Sequence, residues 1–223
     1  MTGSSTERGA AGHTAQELSA GGQYQALAEA LASPDTEASG ACPAVIARAT
    51  SVPALCEAVH RHAEHVICSR EWPVVLQAWR LAREGRVREL LELDAAWGRD
   101  VSQDGFPGAS VQVGRRQLGK LRGLRHERVI RRYLDAIEAG QARGWHPVVY
   151  GVVLAVYHLP LHQGLMHFAS RTLASLVSAA ERRHRLPASE CQALLDAVCS
   201  QLSGRLPRLP ELAAGQSAIV PLA

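Results

Sequence analysis

Trp145-His146-Pro147-Val148-Val149-Tyr150-Gly151 opens the stretch that decides the fold, and that stretch runs on to Gln192. An apolar run continues to Tyr157, and Leu159-Pro160-Leu161 breaks it. A long amphipathic segment follows, closing on Leu176-Val177-Ser178-Ala179-Ala180-Glu181-Arg182. A proline cannot continue a helix without losing a backbone hydrogen bond, so the break separates two helices. The first is apolar all round and the second carries one apolar face, which predicts a buried helix packed against an amphipathic one.

The same periodicity extends outward. Upstream, Trp72, Val75, Leu76 and Trp79 repeat at i, i+3, i+4 and i+7, a single buried stripe on a helix opened by Pro73. Ser51-Val52-Pro53 starts an earlier helix that reaches about Ile67, with Ser51 as its N-cap. Gly85 closes the Trp72 helix, and Val87, Leu90, Leu91 and Trp97 mark the next one. Asp104-Gly105-Phe106-Pro107-Gly108 reads as a turn. Helices are then predicted over Ala109–Leu121 and Arg125–Gln141, the second with Val129, Ile130, Tyr133, Leu134 and Ile137 on one face and Gly144 after its end. The last helix starts near Pro187 and shows Cys191, Leu194, Leu195, Val198 and Leu202. Neither an alternating strand pattern nor a long repeat is visible. The reading is all-α, a single bundle of about eight to ten helices with short connections.

Three regions follow. Residues 1–22 are polar and rich in Gly, Ser and Thr, and read as a disordered segment. Residues 23–203 form the helical domain, beginning with a short pattern over Gln23–Ala32 that Ser33-Pro34-Asp35 closes. Pro207, Pro210 and Pro221 mark 204–223 as an irregular tail.

Composition narrows the function. Hydrophobic residues are 47% of 223, enough for a core, but aromatics are only 4%, so Ala, Leu and Val must build it. The net charge of +3 is too small to announce nucleic acid, and Lys120 is the only lysine. Arginine suits bidentate pairing with carboxylates at interfaces. Five cysteines without close pairs make a poor disulfide framework. The first residues lack the apolar core of a signal peptide, and Val148–Leu161 falls short of the roughly 18 residues a membrane span needs. The expectation is a cytoplasmic protein with no membrane association.

Three constellations bear on chemistry. Gly114, Gly119 and Lys120 have the spacing of a phosphate-binding loop. However, Leu121 stands where a magnesium-binding hydroxyl belongs, and no buried strand precedes. A helix with Leu118 and Leu121 packed is the plainer reading. Cys56, His60, His62, His65 and Cys68 share one predicted helix, but at helical spacing they point to different faces, and a metal needs convergent ligands. Arg115, Arg116, Lys120, Arg122, Arg125, Arg128, Arg131 and Arg132 form a basic run opposed only by Glu127. Such a face is either simply solvated or binds an anionic partner. No aromatic interleaves it before Tyr133, which argues against stacking on single-stranded nucleic acid. A basic helical module that binds nucleic acid or regulates through 115–132 is the alternative class. No triad, nucleophile elbow or carboxylate pair is visible, so no catalytic, cofactor or metal residue is assigned.

From Ala109 to Gln192 the chain resembles the family of the urease accessory protein UreF. Ala109-Ser110-Val111-Gln112-Val113-Gly114-Arg115-Arg116 resembles that family's mid-chain helix with its Ser and Gly. His146-Pro147-Val148-Val149-Tyr150-Gly151 resembles its His/Val/aromatic/Gly helix start. Val177-Ser178-Ala179-Ala180 with Arg182 resembles its penultimate helix, and Gln192 falls where the family has a Gly-Gln pair. Ser33-Pro34 and Glu71-Trp72-Pro73 match more loosely. The family's N-terminal Gly-Gly-Phe-Ser-His-Ser-type segment has almost no counterpart near Ser39-Gly40, and its partner-binding tail is not recognisable in 204–223.

The resemblance implies an all-α, non-enzymatic adaptor in nickel insertion. Such a protein dimerises, binds a UreD/UreH-like accessory protein, recruits a UreG-like GTPase and acts on apo-urease. It implies partner-binding roles for Ser110, Gly114, Arg115, Arg116, His146, Tyr150, Arg182 and Gln192. Gly114 and Gly151 would permit close helix approach. Arg182 ends an apolar helix where a cation complements the dipole.

Overall fold

The Trp72 stripe and the Trp145–Tyr157 run, far apart in sequence, pair with each other at the centre of the molecule. The computed structural model describes residues 44–101 and 107–206, all within a unit that spans Pro34–Ala223. The readings for 1–22, for Gln23–Ala32 and for the tail beyond Leu206 lie outside the described residues. The described elements are α1 (Ala44–Ala47), α2 (Val52–His62), a π-helical segment (Ala63–Glu71), α3 (Trp72–Arg83), α4 (Val87–Val101) and α5 (Pro107–Lys120). A 3₁₀ turn (Leu121–Leu124), α6 (Arg128–Glu138), α7 (His146–Val156), α8 (Leu161–His184) and α9 (Ala188–Arg205) complete them. The described residues contain no strand, and the fold is an all-α bundle.

Helix α7 is the hub. Every residue from Pro147 to Ala155 is buried, as expected for a helix apolar on all sides. Its main neighbour is α3, which buries Trp72, Val74, Val75, Leu76 and Ala78. Gly151 lets the two backbones touch. A Cβ there would overlap the Val75 carbonyl and come within 2.8 Å of the Trp79 amide. Trp72 also donates its indole N–H to the Leu165 carbonyl at 3.1 Å, fastening α3 to α8. The Leu159-Pro160 break falls where predicted, and His158 takes a positive φ of 52° to turn the chain into α8.

One boundary differs from the sequence reading. Pro73 lies in the first turn of α3, as read, but no break precedes that helix. Residues 52–83 run as one continuous rod, because the nine residues before Pro73 widen into a π-helix. In an α-helix the proline ring would strike the carbonyl four residues back. The wider turn relieves this, and Trp72 N–H reaches the Ile67 carbonyl five residues back instead. Ser51 does accept from the Ala54 amide as the N-cap of α2. Gly85 ends α3 with φ +70°.

Candidate functional site

The two motifs Ala109–Arg116 and His146–Gly151 fold against each other. Helix α5 lies across the start of α7, and a small-residue contact sets their distance. A Cβ on Gly114 would overlap the Gly144 carbonyl and stand 2.9 Å from the His146 amide. Ser110 Oγ accepts from that His146 amide at 3.3 Å. It therefore caps α7 from a neighbouring helix, since Trp145 at the N-cap supplies no side-chain acceptor. Arg115 donates from Nε to the Arg143 carbonyl at 2.9 Å.

Behind this contact is an aromatic cluster. The His146 ring stacks on Phe168 with centroids 4.9 Å apart, and Tyr150 meets Phe168 edge-on at 5.1 Å. Tyr150 Oη is 2.9 Å from His167 Nδ1. Burial lowers the His146 pKa to about 4, so the ring is neutral at physiological pH. Burial raises the Tyr150 hydroxyl, an effect Arg171 partly opposes.

The residue that organises the site escaped the sequence reading. Asp94 of α4 is fully buried. Its carboxylate accepts from Tyr133 Oη at 2.6 Å and from the amides of Arg143, Gly144 and Trp145 at 2.6, 3.0 and 3.3 Å. This single side chain fastens α6 and the 139–145 turn to α4. Burial, then the adjacent Asp94 charge and hydrogen bond, raise the Tyr133 pKa well above its ordinary value. The signal was present: Val87, Leu90, Asp94 and Trp97 fall on one helical stripe, and an acid on an apolar stripe needs donors. Beside it, Asp94, Gly98, Arg99, Gly108, Arg143 and Trp145 line an open cleft of about 680 Å³. Both Asp94 oxygens are occupied by hydrogen bonds, so the carboxylate positions backbone.

The remaining predicted residues are dispersed. Arg116 is half-buried on α5. Arg182 and Gln192 are exposed on either side of the α8–α9 turn, and Gln192 donates to Asp196 at 2.8 Å. Gly114 and Tyr150 are buried and His146 nearly so; all three contribute to the interior of this chain. Gly114 to Lys120 lies wholly within α5, so the phosphate-loop spacing falls on a helix. Cys56, His60 and His62 lie on α2, whereas His65 and Cys68 lie on the π-helical segment, which changes their angular spacing from the α-helical value. Among the described residues no three His, Cys, Asp or Glu side chains form a metal-holding group. Of the basic run, Arg122 and Arg125 converge on Glu138 at 3.8 and 2.7 Å. No helix among the described residues is long and apolar enough to cross a membrane.

Ser110, Gly114, His146 and Tyr150 thus lie at one junction of α5, α7 and α8 in an all-α bundle. The model of the UreF family matches residues 46–199, which covers this junction and the hub helix. The chain belongs to the UreF family, and membership implies a role as a urease accessory protein. No curated protein matches the chain.

Proposed function

We propose that this chain assists nickel insertion into apo-urease by bridging a UreD/UreH-like accessory protein and a UreG-like GTPase. It acts as a homodimer in the cytoplasm, without catalysis of its own, and nickel is cargo of the assembly. The observation that carries this reading is the family match across 46–199. The geometry supports a division of labour. Ser110, Gly114, His146 and Tyr150 hold α5, α7 and α8 in register. Arg115, Arg116, Arg182 and Gln192 lie nearer solvent and are the contact candidates.

Charge at such a rim acts mainly on association rate. Reversal of Arg115 and Arg116 therefore slows complex formation more than it speeds dissociation, and the effect shrinks with salt. Arg115 also holds the Arg143 carbonyl, so its reversal carries a structural cost that a purely solvated arginine would not. The decisive experiment is urease maturation with limiting nickel in cells lacking this protein. Loss of urease activity, restored by the gene, is the expected result; full activation without it removes the assignment.

A further inference from the structure

We propose that the outer face of α6, at its N-terminal half, docks an acidic patch of another protein through Arg128, Arg131 and Arg132. The inference goes beyond the urease reading and does not depend on it. The three arginines stand at i, i+3 and i+4, so they share one face, and all three are exposed. The opposite face is anchored: Ile130, Tyr133 and Leu134 are buried, and Tyr133 is tied to Asp94. The arginines therefore project from a fixed platform.

Nothing within the described chain uses them. Arg122 and Arg125 share Glu138, which occupies the acid at the far end of α6. Among the described residues no carboxylate lies within ion-pair distance of Arg128, Arg131 or Arg132. Their placement is also unfavourable for the helix alone. The first turn of α6 contains no acid beyond the Glu127 N-cap, and Arg128 stands at the end where the helix dipole is positive. A cost without a compensating contact among the described residues is what a surface kept for an outside anion looks like.

The chemistry favours protein carboxylates over nucleic acid. The charges are arginines, whose planar forks grip carboxylate and phosphate alike, so the size and surroundings of the patch decide between them. The three span about 6 Å of helix axis, the reach of two or three Asp or Glu one turn apart on a partner helix. Glu127 and Asp135 border the patch and confine its positive charge to the three arginines, which suits a compact acidic patch better than an extended phosphate backbone. No aromatic ring projects among the arginines, since Tyr133 faces inward.

The test uses the full chain and fluorescent poly-L-glutamate at low salt, read by anisotropy. Arg128→Ala, Arg131→Ala and Arg132→Ala combined should weaken binding about ten-fold, and the corresponding triple lysine variant should weaken it about three-fold. Arg48→Ala with Arg183→Ala, equally exposed cations elsewhere, should leave binding unchanged. Helical circular dichroism should persist in all variants, because the three side chains hold nothing in the fold. The single alanine variants, each about two-fold weaker, keep the test readable if the triple variant loses helix. Absence of poly-L-glutamate binding, retained affinity in the triple alanine variant, or full affinity in the lysine variant each overturns the proposal. Tighter binding of an oligodeoxynucleotide of matched charge, lost in the same triple variant, also overturns it and assigns the face to nucleic acid.

Discussion

Residues 52–83 run as one unbroken helical rod, whereas residues 139–145 form an irregular turn between α6 and α7. Every backbone amide of the turn nevertheless finds an acceptor. Ala139, Gly140, Gln141 and Ala142 donate their amides to carbonyls at the end of α6, and Arg143, Gly144 and Trp145 donate theirs to Asp94. Among side chains each segment buries one polar atom with no hydrogen-bond partner, Trp145 Nε1 in the turn and the carboxylate oxygen Glu71 Oε2 in the rod. Burial pushes Glu71 up to about 7, with Arg70 only partly opposing it. Regularity of backbone and satisfaction of polar groups are therefore separate properties. Here the irregular segment is the one clamped.

That contrast can be broken at its strongest point first. Asp94→Ala leaves three amides and the Tyr133 hydroxyl without their acceptor, and should cost about 4 kcal/mol in urea denaturation. Asp94→Asn should cost less, since one amide oxygen still accepts. Gly114→Ala comes next. Its Cβ meets backbone, which cannot rotate away as a side chain does, and about 3 kcal/mol of destabilisation is expected. A thermal midpoint unchanged by Gly114→Ala would show that the α5–α7 contact is looser than described.

The rod is tested through pH. Glu71 binds a proton more tightly in the folded state, about 7 against 4.5, so its contribution to stability falls as pH rises through that window. His62 and His146 do the opposite. Burial lowers both to about 4, so stability falls as pH drops from 6.5 toward 4. Glu71→Gln should therefore raise stability at pH 8 by about 2 kcal/mol and leave the acid-side loss in place. No gain above pH 7 would mean that the carboxylate finds a partner in solution. The smallest effect belongs to the rod's surface: the exposed Arg61–Glu57 pair should contribute about 0.3 kcal/mol in a double-mutant cycle.

The bundle was legible because periodicity reports burial directly. The all-apolar run 147–155 could only be a buried helix, and the Trp72 stripe supplied its partner. Gly114 and Gly151 were read as close-approach positions, and both are. The π-helical segment was not legible, because a proline in a helical pattern is resolved by a break or by a widened turn, and local sequence does not choose between them. Asp94 was missed for a different reason. Its donors come from residues 39 to 51 positions away, and only the folded chain brings them within reach. The resemblance marked these motifs, but it gave no sign that Ser110 serves His146 or that Arg115 serves Arg143.

The widened turn ahead of Pro73 also fixes the length of the chain at that point. Removing one residue from Ala63–Glu71 would let the segment tighten into an ordinary α-helix, and the greater turn per residue would offset the lost residue, so the flanking helices would nearly keep their facing. Leu55 and Val59, now fully buried, would stay in the core, and the cost would fall on the Pro73 ring, which would meet the carbonyl four residues before it. A shortened chain is thus opposed at this point by one proline ring and not by the loss of a buried face.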